Sequence, residues 1–135
     1  MRQYKLIAII LFAFSALAVS PEPTNATYEE FQRSKDQFLA MKLTQKDFSK
    51  KFKELDSQLT ALYEKLKASE SEELSVEGNQ MALDLELLEP LRQLANSKFD
   101  KAACREARHS NQMNVTPEDK EQNDVIEKVI QSICK

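Results

Sequence analysis

The side chains able to carry out chemistry are few. His109 is the sole histidine of the 135 residues, and Cys104 and Cys134 are the sole cysteines. A Ser/His or Cys/His dyad would have to use His109, whose neighbours Arg108 and Ser110 put it on a polar helix end rather than beside a shielded nucleophile. Cys104, His109 and Cys134 offer three metal ligands, but without a recognised ligand spacing. The cysteine pair reads instead as a disulfide closing the loop from 104 to 134, which would stabilise the fold by roughly 3–4 kcal/mol through restriction of the unfolded chain. With a single glycine, the chain has no Gly-rich phosphate loop, dinucleotide fingerprint or Gly-x-Ser-x-Gly elbow.

Carboxylates are plentiful, and Asp84, Glu86 and Glu89 crowd one segment. A catalytic acid needs a partly desolvated pocket to raise its pKa, and the sequence gives no sign of one. No calcium-loop pattern occurs. The expectation is a non-enzymatic protein without metal or cofactor.

Charge layout says more. From Ala68 to Leu91 there is no Lys or Arg, and the segment holds Glu70, Glu72, Glu73, Glu77, Asp84, Glu86 and Glu89. Lys42, Lys46, Lys50, Lys51 and Lys53 form a basic patch just before it. Such patches either stay in water or face each other. The sharper reading is an acidic surface that steers a cationic protein partner, with Glu70, Glu72, Glu73, Glu77, Asp84 and Glu86 as the candidate contacts. Nucleic acid is not expected, because the chain is acidic overall, at a formal −3, and its lysine cluster lacks interleaved aromatics for base stacking.

These residues must be positioned by helices. Residues 1–18 read as a secretory signal peptide: Arg2 and Lys5, an apolar run from Leu6 to Leu17, and Ala16-Leu17-Ala18 as the cleavage site. Export makes the disulfide reading stronger and places the protein outside the cell or in a periplasm. No second apolar run is long enough to span a bilayer, so no stable membrane anchor is expected. Residues 19–26 (VSPEPTNA) form a flexible, Pro-containing lead, and residues 27–135 a single helical domain. Asn25-Ala26-Thr27 and Asn114-Val115-Thr116 fit the N-glycosylation pattern.

Within the domain, Phe48, Phe52, Leu55, Leu59, Leu62 and Leu66 recur at steps of four, three, four, three and four. This is an a/d stripe on one helix face. It serves either as intramolecular core or as the seam of a dimer; the presence of other stripes favours core and a monomer. The spacing predicts a first helix over 27–43, loose in its stripe because Lys35 sits where an apolar residue is expected. Thr44-Gln-Lys-Asp47 predicts the cap of a second helix over 45–68. A third helix is expected from about Asn79 to His109, bent at Pro90 or restarted there. Thr116-Pro117-Glu118-Asp119 predicts the start of the last helix, over 117–133, lined by Val125, Ile126, Val129, Ile130 and Ile133. The fold class is therefore all-α, a small bundle of about four helices with one disulfide.

Two fragments resemble known exported helical families. Leu59-Thr-Ala-Leu-Tyr63 with Phe99-Asp-Lys-Ala-Ala-Cys104 is similar to the Leu-Asn-x-x-Tyr and Tyr-Arg-Asp-x-x-Cys elements of the small exported lysozyme-inhibitor family. The chain departs from them at Thr60, Asp100-Lys101 and Asn96, where the family has Asn, Arg-Asp and Trp. The family's N-terminal cysteines are absent too. Leu43-Thr44-Gln45-Lys46-Asp47 is similar to the Leu-Thr-x-x-Gln element of periplasmic helical chaperones, with Asp47 in place of the Gln. The fragments cover short stretches and define no family. They imply two functions: an inhibitory binding module for a cationic partner such as a lysozyme, or a periplasmic chaperone-like or envelope structural protein.

Overall fold

The computed structural model describes residues 23–70, 74–114 and 116–135. The expected signal peptide, residues 19–22 of the lead, and Glu72 and Glu73 lie outside the described residues. Among those described there are six α-helices and no strand: α1 Pro23–Leu39, α2 Gln45–Ser69, α3 Val76–Leu87, α4 Glu89–Ala95, α5 Lys101–Met113 and α6 Lys120–Ile133, with a 3₁₀ turn at Pro117–Asp119.

The expectation of about four helices is therefore corrected to six, and the extra breaks have local causes. The expected third helix is three. Ser75 caps α3 by accepting the Gly78 amide. Pro90 sits in the first turn of α4, where its missing N–H costs nothing. After α4, Phe99 takes φ 60°, a left-handed conformation costing an aromatic residue about 1–3 kcal/mol. Asp100 then caps α5 through the Ala103 amide. Helix α1 starts four residues before Thr27, at Pro23, and stops at Leu39 rather than Leu43. Residues 40–44 separate it from α2, and Thr44 caps α2 by accepting the Asp47 amide at 3.2 Å, as the capping pattern predicts.

Helix α2 is the spine. All six stripe residues are buried, each contributing roughly 1.5–3 kcal/mol by leaving water. It packs against α1, α3 and α4, while α5 packs between α4 and α6. Phe38 of α1 meets Phe52 at 5.6 Å, and Phe48 meets Phe99 at 6.2 Å, both edge-on. The Ser49 hydroxyl donates to the Ala95 carbonyl and the Gln45 amide to the Ile133 carbonyl, both at 2.9 Å, so α2 anchors the ends of α4 and α6. Arg92 of α4 forks onto both oxygens of Asp56 on α2, at 2.8 and 2.9 Å, and also reaches Glu89. The glycine at 78 is there for space: a Cβ would lie 3.1–3.3 Å from Leu74 and Glu70, whose packing closes the α2–α3 connection.

The Cys104–Cys134 disulfide is formed, with Cα atoms 6.0 Å apart, and joins α5 to the end of α6. This removes the thiols that a Cys–His metal site would need. Among the described residues no helix is long and apolar enough to cross a membrane.

Candidate functional site

The most distinctive feature is a charge that the hydrophobic pattern alone would not place. Lys35 of α1 is 4% exposed and Asp84 of α3 is 3% exposed. Burying either charge alone would be prohibitive, so each must find partners. Lys35 Nζ lies 3.2 Å from Asp84 Oδ2 and donates to Gln122 Oε1 of α6 at 2.8 Å. Gln32 donates to Asp84 Oδ2 at 2.8 Å and Gln80 to Oδ1 at 2.9 Å. Three helices are thus held by one ion pair and three glutamine side chains.

The pair forms the floor of an open cleft of about 980 Å³ between α1, α3 and the start of α6. Leu39, Leu83 and Val125 supply apolar wall, and Tyr28 stands beside them. The rim is acidic: Asp36, Glu118, Asp119 and Glu121 line the cleft, and among the described residues Lys35 is the one cation in its lining. Asp119 is held by the Thr116 hydroxyl, which donates to it at 2.6 Å. Thr116 thus orients a carboxylate instead of capping backbone. Asp36 lies 3.9 Å from Lys35, but its side chain is 70% exposed. Burial, with Asp84, Glu77 and Asp36 nearby, pushes the Tyr28 phenol above its ordinary value. Its hydroxyl therefore stays neutral and protonated through the whole neutral range.

Chemically, the arrangement has the charge and the apolar wall that a cation carried on an apolar stem requires. Desolvated carboxylates are not offered, because the floor's Asp84 already has three partners. The rim carboxylates face solvent, and their combined field favours an ammonium or guanidinium. Leu83 and Val125 can cover the methylenes of a lysine or arginine side chain. Among the described residues no group of acidic, Cys or His side chains is arranged to hold a metal ion.

The acidic residues singled out by sequence separate into different roles. Asp84 is the buried centre of the cleft. Glu77, in the first turn of α3, acts on Tyr28 from beside it. Glu70 follows α2, where its Oε1 accepts the Ser75 amide at 2.9 Å. Glu86 is exposed, and neither it nor Glu70 lines the cleft. Glu72 and Glu73 lie outside the described residues. Sequence reasoning missed Gln32, Gln80, Gln122 and the rim of Asp36, Glu118, Asp119 and Glu121. One signal was present in Lys35, the charged residue in an apolar stripe.

No protein-family model matches the chain, and neither a curated protein nor a solved structure matches it.

Proposed function

We propose that this is an exported, non-enzymatic helical protein that binds a cationic protein partner, such as a lysozyme, at the acidic cleft. One observation carries the reading: four rim carboxylates surround a single lysine that Asp84 already neutralises. Of the acidic Ser69–Glu89 segment, Asp84 serves as the buried anchor of the floor and Glu77 lies beside Tyr28, so the contact surface shifts to the rim on α1 and at the start of α6. Such a field speeds encounter and selects partners by charge. The closed core speaks against a chaperone-like function resting on an apolar groove. The large hydrophobic side chains exposed among the described residues, Met41, Val76 and Met113, come from three separate segments.

The test is calorimetric titration of the protein with a lysozyme at low and physiological salt. Asp36→Asn with Glu118→Gln and Glu121→Gln should weaken binding at least tenfold. Glu70→Gln with Glu77→Gln should have a smaller effect. Equal losses from the two sets would return the contact to the 70–89 segment. Absence of binding to the lysozyme and to a lysine-rich peptide would sink the reading.

A further inference from the structure

A second cleft has the opposite charge. It measures about 630 Å³, within the range of small-ligand sites, and lies between α5 and the chain end beyond α6. Lys101, Arg105, Arg108 and His109 follow one face of α5, and Lys135 faces them from beyond Cys134. The Cys104–Cys134 bond ties the two walls together.

The local carboxylates leave part of this charge unanswered. Asp100 Oδ1 is engaged in capping, accepting the Ala103 amide at 2.9 Å. Glu127 Oε2 lies 3.3 Å from Arg108 Nε, and the Arg108 side chain remains 45% exposed. Among the described residues, the ion pairs elsewhere on the surface do not involve Lys101, Arg105 or Lys135.

We infer that this cleft binds a phosphate group. Guanidinium forks match phosphate oxygens in paired hydrogen bonds. The guanidinium groups of Arg105 and Arg108, with Lys101 and Lys135, offer more donors than one carboxylate can accept and suit a phosphate, which carries up to about two negative charges. The imidazole of His109 adds a further N–H donor. The site is separate from the acidic cleft, so it stands whether or not that cleft takes a cationic protein. The phosphate belongs either to a soluble compound or to a lipid headgroup.

The experiment is an amide-resolved NMR titration at low salt with two probes: inorganic pyrophosphate, and vesicles of phosphatidylglycerol in phosphatidylcholine, with pure phosphatidylcholine vesicles as the reference. Saturable shifts centred on residues 101, 105, 108 and 109 are expected. Lys101→Gln with Arg105→Gln, which breaks no ion pair, should weaken the response at least tenfold and leave the remaining spectrum in place. A response to pyrophosphate alone identifies a soluble phosphate ligand; a response to the anionic vesicles as well identifies a headgroup. The inference is overturned if the double variant binds as tightly as the parent. Equal shifts at Lys42–Lys53, or no saturable response to either probe, would overturn it too.

Discussion

The two clefts spend similar side chains in opposite ways. In the acidic cleft the lysine is buried against its aspartate, and the pair has become structure: it fixes α1, α3 and α6 to one another. In the basic cleft the cations stay at the surface of α5, and the walls are held by a covalent bond instead. Burial converts charge into architecture and removes it from binding. Exposure keeps it available to a ligand, but then something else must hold the scaffold.

The largest expected effect comes from breaking the buried pair. Asp84→Ala leaves Lys35 uncompensated and should cost about 3–5 kcal/mol, read by urea denaturation followed by circular dichroism. Lys35→Met with Asp84→Leu should recover most of that loss, because well-packed apolar residues often replace a buried pair at little cost. If the two variants are equally unstable, the glutamine network rather than the ion pair holds the three helices.

Removing the covalent clamp comes next. Cys104→Ser with Cys134→Ser should lower stability by about 3–4 kcal/mol and loosen the basic cleft. Under conditions where the variant is still folded, pyrophosphate binding should weaken while binding at the acidic cleft is retained. Parallel losses at both clefts would show that the two regions are mechanically coupled.

The surface pair of the basic cleft should matter far less. Arg108 and Glu127 are 45% and 28% exposed, so Glu127→Gln should change stability by less than about 1 kcal/mol. It should strengthen phosphate binding by freeing the guanidinium. Weaker binding in this variant would mean that Glu127 positions Arg108 for the ligand.

The smallest effect is at high pH. Burial, followed by Asp84, Glu77 and Asp36, raises the Tyr28 pKa, so the folded chain holds this proton more tightly than the unfolded one. The corresponding stability is complete below the usual tyrosine value of about 10 and is lost as pH climbs through the raised value. Tyr28→Phe should therefore flatten the alkaline fall in stability and leave neutral stability nearly unchanged. An identical alkaline profile would mean that the phenol is better hydrated in solution than its burial implies.

Much of the scaffold was legible because it rests on periodicity and caps. The 48–66 stripe identified six buried residues, and Thr44 marked the start of α2. Ile126, Ile130 and Ile133 are buried on α6, with Val125 and Val129 packed beside them. The break between α4 and α5 was not legible, since it depends on a phenylalanine in a conformation that sequence patterns assign to glycine. The start of α3 was placed late, at Asn79, because Ser75 caps without the acidic partner of a capping box. The acidic cleft was harder still. Its rim joins Asp36 of α1 to a short cluster at 118, 119 and 121 that lies far along the chain. A search for runs of charge finds the 70–89 segment and passes over a site assembled by folding.

With two half-cystines, only one intramolecular pairing can form. The bond spans 30 residues and joins α5 to the end of α6, so it clamps that pair and leaves α1 to α4 to non-covalent packing alone. An oxidising compartment need only supply an oxidant, because no wrong internal bridge exists for an isomerase to correct. The one misassembly left to this chain is a bridge to another molecule, and it would be most frequent where unfolded copies are concentrated.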